Sequence, residues 1–117
     1  MALMHAGTIC ADWGAYGRGQ EVEPTPVTTI AAAFLMAVRL RGERIAMRHK
    51  NRGLWRSITW AAYGEQVRRL SLALTASGFA RGDRACILAD SCPEWFFCDL
   101  AVITSGGISV GIYATNA

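Results

Sequence analysis

Two short apolar runs, Ala85-Cys86-Ile87-Leu88-Ala89 and Ile108-Ser109-Val110-Gly111-Ile112-Tyr113, flank a segment that carries helix signals at both ends. The first run follows the turn Arg81-Gly82-Asp83 and does not alternate polar with apolar residues, the pattern of a strand covered on both faces. Ser91-Cys92-Pro93-Glu94 comes next. Ser91 is placed to cap a helix, Glu94 three residues on to reach back to its amide, and Pro93 to occupy a first-turn position that needs no N–H. Trp95, Phe96, Leu100 and Ile103 recur at roughly helical spacing, and Gly106-Gly107 close the helix by admitting angles that a β-carbon resists. Two parallel strands joined through one helix form a right-handed crossover, the unit of a doubly wound α/β sheet. A sheet of that kind needs helices on both faces and neighbours on both edges, so two strands cannot complete it.

Upstream, Thr28 or Thr29 is predicted to cap a helix from Ile30 to Leu40, with Ile30, Phe34, Leu35 and Val38 on one side and Gly42 at its end. Arg44 to Arg48 and Leu54 to Ile58 read as short alternating strands around Asn51-Arg52-Gly53, a hairpin. A second helix is expected from about Trp60 to Ser77. It turns Tyr63, Val67, Leu70 and Leu74 inward and Glu65, Arg68 and Arg69 outward, and Gly78 ends it. Residues 1–27 mix glycine, alanine, threonine and Pro24-Thr25-Pro26 without a sustained period and read as a flexible leader. Asp12 and several glycines interrupt any apolar core a secretory signal would require, so cytoplasmic residence is the expectation.

Read together, Ile58-Thr59-Trp60 with Tyr63 and Val67, Gly82-Asp83-Arg84, Pro93-Glu94-Trp95 and Gly111-Ile112-Tyr113 with Thr115-Asn116 resemble the N-terminal portion of AMP-forming acyl-CoA synthetases. Within the adenylate-forming superfamily the likeness is greatest to the long-chain fatty-acid ligase branch, and it runs from about Pro26 to Asn116. The last string is similar to the family's GxYPTN segment, with Ala114 where the family usually has proline. Ala62 stands where many members have a glutamate that completes a capping box with Thr59. The fold this resemblance implies is α/β: an incomplete N-terminal part of the doubly wound adenylate-forming enzyme fold, in the order helix, β-hairpin, helix, strand, helix, strand. Residues 28–117 would form that partial domain.

Members of the family join a carboxylic acid to ATP, giving an acyl-adenylate and pyrophosphate, and then transfer the acyl group to the thiol of coenzyme A. The resemblance implies ATP, Mg and CoA as cofactors, a fatty acid as substrate, and the remainder of a synthetase chain as partner. Such chemistry calls for a Ser/Thr/Gly-rich loop with a lysine around the phosphates, an acidic residue on the ribose and a lysine that meets the carboxylate. Lys50 is the only lysine and sits among arginines in the expected hairpin. Gly106-Gly107 lacks a following Lys-Ser/Thr and leads into a strand, so it does not fit a phosphate cradle. No catalytic, cofactor-binding or metal-ligating residue is therefore assigned, and the 117 residues are expected to be inactive in adenylation when isolated.

Other chemistries fit the sequence less well. Cys86, Cys92 and Cys98 lie six residues apart, without the close Cys-x-x-Cys pairs of zinc sites, and fall on an expected buried strand, a helix start and an apolar helix face. Cys10 lies in the leader. From Arg39 to Arg56 six arginines and one lysine face Glu43 alone, although the whole chain carries only +3. A basic hairpin bearing Trp55 suits an acidic surface or RNA. The eleven-to-one excess of arginine over lysine favours a solvated face and a composition bias instead, so no nucleic-acid partner is expected. Trp95 to Tyr113 contains only Asp99 as a charge, yet its Thr104-Ser105-Gly106-Gly107 centre argues for a helix turning into a strand rather than a transmembrane segment. His5 and His49 lack an acid or nucleophile around them, and Asp90 reads as a neighbour of a helix cap. A separate reading, a truncated stand-alone small protein, would leave the unfinished sheet as a surface for binding partners.

Overall fold

The computed structural model describes residues 29–112. The expected leader 1–27, the alternative cap Thr28 and the segment Tyr113 to Asn116 lie outside the described residues. The elements follow the expected order: α1 (Ile30–Arg41), β1 (Ile45–Asn51), β2 (Leu54–Thr59), α2 (Trp60–Ala76), β3 (Arg84–Leu88), α3 (Pro93–Thr104) and β4 (Ile108–Ile112).

Local chemistry fixes most of the boundaries. Thr29 and Thr59 each hold extended backbone angles and accept from the amides of Ala32 and Ala62, both at 3.1 Å, which supplies partners for donors that a helix start leaves open. α2 and α3 end alike. Gly78 and Gly106 take φ of 92° and 81°; Phe79 N donates to Leu74 O and Gly78 N to Thr75 O, and likewise Gly107 N to Val102 O and Gly106 N to Ile103 O, the paired bonds of a Schellman termination. In the hairpin Asn51 pairs with Leu54, so the loop is the two residues Arg52 and Gly53, with φ of 48° and 82°. Positive φ at both positions is the turn whose twist matches the flanking strands.

The two strand pairs are separate sheets: β1 antiparallel to β2, and β3 parallel to β4 with Ala85 opposite Ser109 and Ile87 opposite Gly111. Gly82 N donating to Gly106 O and Ile108 N donating to Asp83 O extend the parallel contact into the preceding turn. α3 connects β3 to its parallel neighbour β4, which realises the expected crossover.

The core lies between the three helices. Phe34 of α1, Tyr63 and Val67 of α2 and Ala101 of α3 are buried, and Val38, Met47, Ile58, Trp60, Leu70, Phe97 and Leu100 pack around them. Tyr63 is the hub, with ring centres 4.9 Å from Phe34, 5.3 Å from Phe97 and 6.2 Å from Trp60. The α1–α2 approach needs a glycine: a β-carbon on Gly64 would meet Val38 Cγ1 at 2.7 Å. The α2–α3 approach relies on small residues, Ser71 against Ala101, which has no exposed surface at all.

Four expectations give way here. The N-cap of α3 is Cys92, with no side-chain bond, so the Ser91–Glu94 capping box does not form; Pro93, at the first position, removes one donor without needing a cap. Of Trp95, Phe96, Leu100 and Ile103 only Leu100 packs on the buried cluster, because that helix serves two layers. Ala101 and Phe97 face α2 while Trp95 reaches the sheet at Gly111, and Phe96 stays 46% exposed. Phe34 is the buried residue of α1, whereas Ile30 and Leu35 remain open to solvent. Finally, β3 is covered on one face only: Ala85 and Ile87 are half-buried towards the helices, and Cys86 and Leu88 are exposed on the other side.

Candidate functional site

In an open parallel sheet, ligand sites form beyond the carboxyl ends of the strands. Those ends are Leu88 and Ile112, paired side by side, and Ala89 to Cys92 leads from the first into α3. Asp90 and Ser91 are exposed there, and Glu94 stands in the first turn of α3. Behind them an apolar groove of about 380 Å³ runs between α2, α3 and β3, lined chiefly by Leu70, Leu74, Ile87, Trp95, Cys98 and Val102. Asp90 lies two residues before the helix cap Cys92.

Packing and pairing within the helices perturb ionisation at Tyr63 and Glu65. Burial pushes the Tyr63 hydroxyl up to about 12, the nearby Asp99 carboxylate adds to the effect, and the hydroxyl donates to Phe96 O at 3.4 Å. Glu65 is drawn down to about 2 by hydrogen bonds from Arg68 and Arg69, at 2.8 and 2.7 Å, on the exposed side of α2. This is the outward cluster expected from the helix period.

The glycine pair weighed as a phosphate site has other partners. Gly106 N donates to Ile103 O and Gly107 N to Val102 O, and a β-carbon on Gly107 would strike the Phe79 ring. Cys86, Cys92 and Cys98 are free thiols, and no cluster of metal-ligating side chains occurs among the described residues. No helix among the described residues is long and apolar enough to cross a membrane. His49 and Lys50 lie on β1, in the hairpin.

Sequence reasoning missed a polar joint between α2 and α3. Ser71 Oγ lies 2.7 Å from Thr104 Oγ1 and donates to Ala101 O at 3.1 Å, while Ser105 Oγ donates to Ser71 O at 3.5 Å. The available signal was three hydroxyl residues on faces that hydrophobic spacing assigns to packing.

Helices packed against one face of a parallel pair joined by a crossover make an α/β unit of the kind from which doubly wound sheets are built, with the other sheet face uncovered. The family model described as "AMP-binding enzyme" matches residues 34–117, and the chain belongs to that family. A long-chain-fatty-acid–CoA ligase, ACSBG2, of Gallus gallus is 33% identical over 89 residues, covering 76% of this chain and 12% of the relative. The ACSBG2 ligase of Xenopus laevis is 32% identical over 97 residues, 83% of this chain and 13% of the relative. The chain therefore spans about an eighth of the length of these relatives. A fatty acid AMP ligase from Legionella pneumophila superposes with a TM-score of 0.72 at 17% identity, over 79% of this chain and 16% of that one. The NpsA N-terminal subdomain of Klebsiella oxytoca gives 0.71 at 21%, over 78% and 23%. At these identities the structures speak for the fold: the chain has the architecture of the opening part of an adenylate-forming N-terminal domain.

Proposed function

We propose that this chain is the opening segment of an AMP-forming long-chain fatty-acid CoA ligase, residues 28–117 forming part of its N-terminal domain after a leader at 1–27. The observation that carries the reading is the match to long-chain-fatty-acid–CoA ligases at 33% identity across 76% of the chain. In this reading the whole enzyme converts a long-chain acid and ATP to acyl-adenylate and pyrophosphate, then forms the thioester with CoA, in the cytoplasm. ATP, Mg and CoA are held by residues outside the described segment, and no residue here is assigned a catalytic, cofactor or metal role. The segment's task is architectural. It lays down the β3–α3–β4 crossover on a helical layer and presents one finished and one unfinished sheet face.

The test is to isolate the native product through an antibody to residues 82–112 and assay acid-dependent AMP formation from ATP. Activity rising with acyl chain length, with none from the isolated 117 residues, is the expected result. AMP formation by the 117 residues alone, or a native product inert toward every acid, overturns the reading.

A further inference from the structure

The β1–β2 hairpin projects past the core. Ala46, Met47 and Ile58 hold its base against the buried cluster, whereas every residue from Lys50 to Ser57 is exposed. Trp55, at 70%, is the most exposed large apolar side chain among the described residues, and the adjacent Leu54 is 62% exposed. Directly opposed residues of an antiparallel ladder share a face. Trp55 thus lies beside Lys50 on one side, with Arg48 and Ser57 next in line, and Leu54 lies beside Asn51 on the other, with His49 and Arg56. Arg52 occupies the apex, and no acidic residue occurs between Ile45 and Thr59.

We infer that this hairpin tip docks on an anionic lipid surface. Leu54 and Trp55 enter the boundary between headgroups and acyl chains, while Arg48, Lys50, Arg52 and Arg56 reach lipid phosphates. Tryptophan favours that boundary because its ring is apolar and its N–H polar, and arginine and lysine lay their stems along apolar surface with the charge in the headgroups. The reach is sufficient: the three residues beyond His49 rise about 10 Å at roughly 3.4 Å each, against an immersion depth of about 5–10 Å for interfacial segments. Trp55 shares one face with Lys50 and Arg48, as a stacking surface for single-stranded nucleic acid would require. The second exposed apolar side chain, Leu54, lies on the opposite face beside the apex with Arg56, so apolar and cationic groups occur on both faces, which suits immersion of an edge. The inference stands on the hairpin alone and is independent of the ligase reading.

The test is cosedimentation of the 117-residue chain with vesicles of phosphatidylcholine alone or of equal parts phosphatidylcholine and phosphatidylserine. Binding to the phosphatidylserine vesicles that falls at high salt is expected, since each cation near an anionic surface strengthens binding about fivefold. Arg48→Gln with Lys50→Gln should then weaken binding about 30-fold, as two such contributions are lost. Leu54→Ser with Trp55→Ser should weaken it at least about tenfold. Quenching of tryptophan fluorescence by brominated lipid should be largely lost in Trp55→Phe, a readout that does not depend on these double variants folding. Val110→Thr, on the uncovered sheet face, should change nothing. Equal binding to neutral and anionic vesicles, loss of binding through Val110→Thr instead of the tip variants, unchanged quenching in Trp55→Phe, or displacement from vesicles by single-stranded RNA would each overturn the inference.

Discussion

Replacing Leu88, Val110 and Ile112 together by threonine has opposite consequences for an unfinished sheet and a finished one. Leu88 and Ile112 are directly opposed on the outer face of β3–β4, and Val110 opposes Cys86 beside them. They keep 65, 39 and 40% of their surface in solvent, together about one and a half aliphatic side chains whose burial would contribute about 2–4 kcal/mol. Threonine preserves strand propensity, so the substitutions act on that burial rather than on the strands. In the isolated chain, where no stabilisation from this face has been realised, the triple variant should lose most of its binding of a hydrophobic-surface dye and stay soluble at higher concentration, with unchanged circular dichroism. In the whole ligase the same substitutions should lower stability by about 2–4 kcal/mol, read from the denaturant midpoint. Unchanged dye binding by the isolated chain, or a whole enzyme that tolerates all three within about 0.5 kcal/mol, would refute the argument that this face is built for a covering layer.

Three further outcomes test the packing. The raised ionisation of Tyr63 means that the folded state holds the neutral hydroxyl more strongly than the unfolded chain does, so its contribution is intact below pH 10 and is lost as pH rises toward about 12. Titration of tyrosinate absorbance should show one late-ionising group that Tyr63→Phe removes, and an unaltered titration curve in that variant would count against the buried hub. Gly107→Ala should cost about 1–3 kcal/mol by denaturant midpoint, because the added carbon meets the Phe79 ring and lies 3.0 Å from Asp83 O. Thr59→Ala should cost about 1 kcal/mol and Thr59→Ser much less, since only the hydroxyl cap of α2 is removed; equal losses would point to the methyl group instead.

The order of elements was legible because each boundary carries its own local signal: Thr29 and Thr59 as caps, Gly78 and Gly106 as terminators, and Gly53 at a positive φ in the hairpin turn. What the sequence hid depends on which layers are present. The unalternated run in β3 reads as doubly buried because it records a covering layer on both sides, and within the described residues only one is there. On α3, helical spacing picked out Trp95, Phe96, Leu100 and Ile103; Leu100 does pack on the core, but close helix packing buries most completely Ala101, the smallest apolar residue of that stretch. Ser91 was read as the cap of α3 from spacing alone, although the strand-to-helix turn runs one residue further and leaves the cap position to Cys92. The strand-end residues Asp90, Ser91 and Glu94 were legible as a loop and a first helical turn, and the structure leaves all three exposed there.

If these residues open a longer ligase whose sheet later sequence completes, the native product is far larger than the 117 residues, and its mass decides the matter. Peptides from residues 82–117, followed by mass spectrometry in size-separated cell extract, should migrate with a polypeptide several times larger than 12.7 kDa, since related ligases match this chain over only 12% of their length. Recovery of those peptides solely in a 12.7 kDa product would contradict the claim and make the uncovered face of β3–β4 a surface for partners instead.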